Sequence, residues 1–210
     1  MTKELTKEQI WTEIEKLMYP YGLNRVIRYS LERKEPFQTQ SVAEHVTNMI
    51  FLAYYFRDFE DPKYKLDFNK VVKMIMMHDM GEIETGDIVI VKKTETHEAT
   101  EREAIKSVRA KSPKFIADEI ESLYDEFSDP KTQEGKYAKA IDKFEGQIFW
   151  VGKEGVEMLT HVHEILGLET EVAHGSHIKK VFSMLDAYNF PTIKKFLEVI
   201  EEKKHSYGIL

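Results

Sequence analysis

Apolar residues recur at intervals of three and four along most of this 210-residue chain, and that spacing predicts an all-α protein. Glycine and proline, which interrupt helices, are few. The segment 81–93 lacks the helical period, because it holds two glycines and the β-branched run IVIV, and it is expected to be irregular. A short helix or turn is expected over 23–31. The longer predicted helices cover about 7–19, 42–57, 68–80, 95–111, 113–127, 130–152, 153–167, 176–188 and 191–204.

Residues suited to helix N-termini stand before several of these segments. Ser41 followed by Glu44 has the spacing of a capping box, in which each side chain satisfies a backbone N–H of the other residue. Thr6 and Gln9 have the same spacing at the first helix. Asp67, Ser112 and Asp129 are the predicted caps of later helices, and the last two are each followed by a proline, which favours a first helical position.

Composition and charge narrow the class of protein. With 42% hydrophobic residues the chain can bury one sizeable core, so residues 1–210 are expected to form a single domain. The net charge of −7 and the absence of a basic block argue against binding a nucleic acid polymer. Without cysteine there is no disulfide or thiolate ligand. The charged N-terminus and the lack of a long apolar run predict no membrane contact and a cytoplasmic location.

Ionisable residues on apolar helix faces are the main chemical signal. His45 lies within the apolar stripe of its predicted helix, His78 and Asp79 follow the apolar run VVKMIMM, and Asp142 shares a face with Ala138. Burying such groups is costly unless they are paired or bind a metal. Two imidazoles and two carboxylates could surround one divalent cation, and this mixed set suits Mn, Co, Fe, Ni or Zn better than Ca.

Each of these residues also has an ordinary structural interpretation. A single histidine on an apolar face is usually a hydrogen-bonded core residue, and Asp142 could pair with Lys143 or Lys139. A two-residue His-Asp match is common by chance. The metal hypothesis therefore rests on the joint arrangement rather than on any one residue.

Three sequence blocks resemble a known superfamily. SVAEHV at 41–46, MHDMGEIETGDI at 77–88 and AIDKFEGQ at 140–147 are similar to the HD-domain metal-dependent phosphohydrolases, whose metal signature has the order H…HD…D. The fuller match resembles the branch that contains bacterial 5′-deoxynucleotidases. The resemblance covers about 20–150 and implies an HD-type helical bundle, with 153–210 as a C-terminal helical extension.

The resemblance also implies roles for particular residues. His45, His78, Asp79 and Asp142 are the implied ligands of one divalent ion, which could be Mn, Co, Fe, Ni, Zn or Mg. Glu82, four residues after His78, is implied in catalysis. A carboxylate in that position could orient water or pass a proton to the leaving oxygen.

Two further residues are implied in substrate binding. Asp87, in a Gly-Asp turn, corresponds to a family carboxylate that contacts the nucleotide and is included among the catalytic candidates. Arg28 corresponds to an arginine that holds the 5′-phosphate, with Arg25 and Arg33 as neighbouring alternatives. The family usually has an aromatic residue where this chain has Leu31, so the resemblance leaves the sugar or base preference open.

The resulting expectation is a phosphomonoester hydrolase that acts on deoxynucleoside 5′-monophosphates and forms a homodimer, as the family implies. The alternatives are another HD-type phosphohydrolase or phosphodiesterase, and a non-catalytic domain that binds a nucleotide or a metal. Four further histidines are expected to be solvated: His161 and His163, whose spacing places them on different helix sides, and His174 and His177, which flank a predicted glycine turn.

Overall fold

The computed structural model describes residues 7–30, 39–88 and 94–208, and within these ranges the chain is all-α, with 3₁₀ turns and no β-strand. The predicted fold class is therefore confirmed. The helices are α1 Lys7–Met18, α2 Val42–Tyr64, α3 Phe68–Met77, α4 Glu82–Thr85, α5 Glu95–Lys111, α6 Lys114–Ala117, α7 Ile120–Ser128, α8 Gln133–Phe149, α9 Lys153–Ile165, α10 Thr170–Tyr188 and α11 Pro191–His205.

Helix α8 lies at the centre of the bundle. Its buried residues recur at helical spacing and contact α2, α3, α7, α10 and α11. Phe144 is 1% exposed, and its ring centroid lies 5.0 Å from that of Phe56 in α2. The buried hydroxyl of Tyr137 donates a hydrogen bond of 2.7 Å to the carbonyl of Ala53. The face of α8 that carries Tyr137 and Phe144 therefore packs against α2.

The predicted helix starts at 42 and 68 are confirmed by their caps. The backbone N–H of Ser41 donates to Glu44 over 2.7 Å, and that of Glu44 donates back to the Ser41 hydroxyl over 3.3 Å. Asp67 accepts from the backbone N–H of Lys70 at 3.2 Å. The predicted cap at Thr6 lies outside the described residues.

Two other predicted helix caps are wrong. The Ser112 hydroxyl donates to the carbonyl of Val108 at the end of α5, so it does not cap the next helix, which is also broken between α6 and α7. Asp129 pairs with Lys131 at 2.9 Å, and α8 begins three residues later than predicted, because Thr132 accepts from the backbone of Gly135.

Helix α10 begins earlier than predicted and runs without interruption through the His174-Gly175-Ser176 segment. Its buried Val181 and Leu185 join the same apolar core as Leu197 of α11 and Phe144 of α8. The predicted division into an HD core over 20–150 and a C-terminal extension stays a prediction. In the described part of the chain, no helix combines the length and apolar character needed to cross a membrane.

Candidate active site

Three predicted ligands come together where α2 passes the end of α3. His45 is fully buried in α2, while His78 and Asp79 occupy the turn that follows α3. One ligand atom from each of His45, His78 and Asp79 lies within 4.8 Å of the other two. Such a separation allows a single ion to contact all three.

Hydrogen bonds on the opposite side of each imidazole prepare the two histidines for a cation. Nδ1 of His78 donates to the carbonyl of Ile75 at 2.8 Å, which leaves the lone pair of the neutral ring on Nε2. Nδ1 of His45 lies 2.5 Å from the Glu145 carboxylate and 2.7 Å from Nη1 of Arg28. The shorter contact, to a carboxylate that can only accept when ionised, favours Nδ1 of His45 as the donor and Nε2 as the position of its lone pair. Both Nε2 atoms are buried without a hydrogen-bond partner. Unpaired imidazole lone pairs beside a carboxylate fit a divalent transition metal.

Asp79 carries negative charge at the same point. Its Oδ2 lies 2.9 Å from Nε2 of His78 and 3.9 Å from Nε2 of His45. Burial by itself raises the pKa of this carboxyl group, but the close contacts with the imidazoles of His78 and His45 outweigh burial and lower the pKa below its ordinary value. The ionised form is the one that binds a cation.

Asp142 lies close to His45, but it is not part of the set of three residues whose ligand atoms could hold one ion. Its Oδ1 lies 3.4 Å from Nε2 of His45, whereas its Oδ2 forms an ion pair of 2.8 Å with Lys143. The pairing with Lys143 was one of the two alternatives that the sequence left open. Asp142 as a fourth ligand stays a prediction.

Glu82 lies in the same pocket, at the start of the short helix α4. Its side chain is buried, and Oε2 has no hydrogen-bond partner. Burial, followed by the nearby charges of Asp79 and Asp87, raises the pKa of Glu82 well above its ordinary value. A carboxyl group in this state holds a proton that it can transfer to a bound ligand.

Arg28 reaches the site through a short backbone pairing. The backbone N–H of Arg28 donates to the carbonyl of Gln40 at 3.0 Å, beside the antiparallel bridge between Ile27 and Ser41. This pairing places Arg28 against the first turn of α2, where its Nη1 lies 3.2 Å from Glu145. The alternative Arg25 is exposed. Arg33, the other alternative, lies outside the described residues.

Tyr29 connects Arg28 with Asp87. Its φ of 67° lies in the left-handed region, which bulky residues rarely adopt. This conformation lets the backbone N–H donate to Oδ2 of Asp87 at 2.7 Å, while the ring packs 4.8 Å from that of Trp150. Burial is the largest cause of the raised pKa of Asp87. Leu31, the departure from the family pattern, lies outside the described residues.

The pocket around these groups has a volume of about 200 Å³ and a second wall built by α9 and α10. The solvated positions predicted for His163 and His174 are wrong, because both side chains are buried and both line the pocket. His177 lines it too, with a pKa lowered to about 4 mainly by burial. His161 is exposed, as predicted.

Sequence reasoning missed this wall although a signal was present. His163 follows the buried Val156 and Leu159 at helical spacing, and His174 precedes Val181 at the same kind of spacing. Gln147 of α8 was also missed. The sequence offers no comparable sign of its role, because its contacts come from α11, far along the chain.

Comparison with known proteins agrees with the fold. The family model described as HD domain matches residues 22–178, so this chain belongs to the HD-domain family. Mouse 5′-deoxynucleotidase HDDC2 is 28% identical over 126 residues, which are 59% of this chain and 60% of the mouse protein. The 5′-deoxynucleotidase hdd1 of Schizosaccharomyces pombe is 33% identical over 113 residues, or 50% and 54% of the two chains. The match thus spans about 60% or less of the length of these two relatives.

A solved structure shares the fold over nearly the whole chain. The crystal structure of a predicted metal-dependent phosphohydrolase from Magnetospirillum magnetotacticum MS-1 superimposes with a TM-score of 0.74. The superposition covers 97% of this chain and 99% of that one, at 18% sequence identity. At this identity the likeness establishes the fold.

Proposed function

We propose that this protein is a metal-dependent phosphomonoesterase that hydrolyses deoxynucleoside 5′-monophosphates. The observation that carries the proposal is the pair of unpartnered, buried Nε2 atoms of His45 and His78, which share a pocket with Glu82 and Arg28. In a purely structural core, buried polar atoms are normally hydrogen-bonded. Here the two imidazole nitrogens and Oε2 of Glu82 have no hydrogen-bond partner. The 5′-deoxynucleotidase names of the curated relatives support this choice of substrate.

The proposed cation site consists of His45, His78 and Asp79, with Asp142 as the predicted fourth ligand. A divalent cation, when bound, supplies positive charge that polarises a phosphate oxygen. The donor set allows Mn, Co, Fe, Ni, Zn or Mg.

Arg28 has the complementary role at the phosphate. Its guanidinium stays charged and presents a planar set of N–H donors, of which only part is used by Glu145. Fixed positive charge in a largely buried position stabilises the charge that develops on the phosphoryl group.

Glu82 handles the proton of the reaction. Water forms a new bond to phosphorus as the bond between phosphorus and the 5′-oxygen breaks, and the leaving oxygen must gain a proton. Glu82 carries that proton on a buried carboxyl group and regains one from the attacking water. Asp87, held by the backbone of Tyr29, accepts a hydrogen bond from the sugar 3′-hydroxyl.

Two features of the proposal concern the protein as a whole. We infer a homodimer from membership in the HD-domain family, and a cytoplasmic location from the supply of nucleotide substrates there. Size-exclusion chromatography with light scattering tests the first inference.

The decisive experiment compares the wild type with Asp79→Ala on a panel of deoxynucleoside 5′-monophosphates, each with Mn, Co, Ni, Zn or Mg. Loss of the Asp79 carboxylate removes one of the ligands at the candidate site. We expect the variant to lose bound metal and at least about 100-fold in kcat/KM. Metal content is measured by mass spectrometry, and phosphate release by a colorimetric assay.

The matched control is Asp125→Ala, which removes an exposed carboxylate that pairs with Arg102 on the surface. It should retain metal content and activity. Full metal content in Asp79→Ala would show that the ligand assignment is wrong. No phosphate release with any metal would rule out this function. A separate chromatographic assay with a cyclic nucleotide then distinguishes the alternatives: hydrolysis indicates a phosphodiesterase, and no hydrolysis indicates a binding domain.

A further inference from the structure

A buried polar network extends from α11 to the pocket at a point away from the predicted metal ligands. Nε2 of His174 donates to Oε2 of Glu201 at 2.6 Å, and Nζ of Lys204 donates to Oε1 of Glu201 at 2.9 Å. Lys204 also donates to Oε1 of Gln147 at 2.9 Å, although its side chain is completely buried. Three helices, α8, α10 and α11, thus meet in one chain of hydrogen bonds.

This network fixes the orientation of the Gln147 amide. An ammonium group can only donate, so the amide oxygen of Gln147 must face Lys204 and the amide nitrogen must face away from it. Gln147 lines the pocket, and because Lys204 occupies its amide oxygen, the amide nitrogen is the end of the group left to face a ligand. The structure therefore presents an oriented N–H donor at the pocket wall.

The surroundings of this donor suit a flat, uncharged ring. Leu159 and Val162 of α9 and Trp150 provide an apolar wall of the same pocket. His163 and His177 also line it, and burial lowers the pKa of both, so these imidazoles are neutral near pH 7. Of the two lysines that line the pocket, Lys143 is paired with Asp142, and Nζ of Lys139 lies 4.3 Å from the centroid of the Phe127 ring. A second phosphate group would find little free positive charge there.

Gln147 lies further along α8 than the predicted ligand Asp142, and both residues line the same pocket as Asp87. The five residues from Asp142 to Gln147 correspond to a rise of about 7.5 Å along the helix axis. With the substrate phosphate assigned to the predicted metal ligands and the sugar to Asp87, Gln147 is left for the remaining ring.

We propose that Gln147, oriented by Lys204 and Glu201, forms the subsite that recognises the nucleobase through a carbonyl or ring-nitrogen acceptor. This inference rests on the proposed function and deepens it. Gln147 is a specificity residue in this account, and Lys204 and Glu201 are positioning residues that do not touch the substrate.

The test uses Gln147→Glu, which keeps an acceptor for Lys204 and replaces the N–H donor with an oxygen. Thymidine 5′-monophosphate and 2-deoxyribose 5-phosphate are compared as substrates, because the second carries a hydroxyl group at the anomeric carbon in place of the base. We expect the ratio of their kcat/KM values to fall on the order of ten-fold in the variant. Lys180→Gln is the control, since it changes the charge by the same amount at an exposed site on α10 and should keep the wild-type ratio. Thermal melting verifies that both variants fold.

The outcomes separate this inference from the function on which it rests. An unchanged ratio in Gln147→Glu, with both compounds hydrolysed by the wild type, would overturn the base subsite and leave the phosphomonoesterase intact. If the wild type hydrolyses neither compound, the proposed function fails. In that case calorimetric binding of free thymidine decides the subsite: binding that Gln147→Glu weakens supports it, and no binding by the wild type overturns it.

Discussion

Glu145 contacts both the predicted metal ligand His45 and the predicted phosphate-binding residue Arg28, although no role was predicted for Glu145 itself. Its Oε2 accepts from His45 at 2.5 Å, from Arg28 at 3.2 Å and from Gln40 at 3.2 Å. Its Oε1 accepts from Asn48 at 3.3 Å. A carboxylate that fixes the tautomer of a metal-binding histidine also strengthens the basicity of that histidine.

Glu145→Gln should therefore weaken cation binding. The amide keeps the shape of the side chain but removes the charge that holds Nδ1 of His45 as a donor. We expect the dissociation constant for Mn or Co to rise about 10- to 100-fold, measured by calorimetric titration. Glu121→Gln, which removes the same charge from an exposed pair with Arg109, is the control. A dissociation constant within two-fold of the wild-type value would contradict this role.

Individual site residues differ in how far the sequence predicts them. His45 could be found because it lies on an apolar helix face, and His78 and Asp79 because they follow a buried run. The sequence could not decide whether Asp142 pairs with Lys143 or binds a metal, because both arrangements fit the same spacing. Gln147 gives no local signal, since its orientation depends on a lysine 57 residues away.

At the scale of elements, the close approach of α7 and α8 depends on a glycine. A Cβ atom built at Gly135 would lie 2.9 Å from the backbone carbonyl oxygen of Glu126, which cannot move without displacing α7. Gly146, in the same helix, has no atom within 4 Å of the corresponding position. The two glycines thus differ in surroundings while sharing a helical backbone.

Gly135→Ala and Gly146→Ala should shift stability in opposite directions. The first introduces a clash and should lower the free energy of unfolding by about 1–3 kcal/mol. The second adds helix propensity without a clash and should raise it by about 0.5–1 kcal/mol. Urea denaturation of both variants measures the difference. Equal shifts would mean that α7 and α8 are packed less closely than the structure shows.

Helix existence was easier to predict than helix starts. The periodic apolar pattern identified the segments that became α2, α3, α5, α8 and α11, because burial of one face drives their formation. The starts depend on which polar side chain binds which backbone N–H. Ser112 and Thr132 show that a hydroxyl before a helix can serve either the preceding or the following helix.

At the scale of the whole molecule, the burial of His177 makes stability depend on pH. Its pKa in the folded protein is about 4, below the ordinary 6.5, with burial as the largest cause and Lys143 and His174 as further ones. The unfolded chain therefore binds a proton at this residue before the folded protein does. The stabilisation is fully present above pH 6.5 and is lost as the pH falls towards 4.

His177→Gln should reduce this pH dependence. The free energy of unfolding is measured at pH 7 and at pH 4.5, and its decrease should be smaller in the variant than in the wild type by roughly 2 kcal/mol. His161→Gln, at an exposed position of α9, should follow the wild type. The account would be wrong if both variants showed the wild-type dependence.

The complete burial of Lys204 has a consequence for how such a protein can diverge. Lys204 lies in the last helix and contacts no proposed substrate atom, yet it determines which way the Gln147 amide points. Under the proposed assignment, a lineage could change the accepted base through substitutions in α11 alone. The machinery for phosphate cleavage would be inherited unaltered, so a new preference would arise without passing through an inactive ancestor.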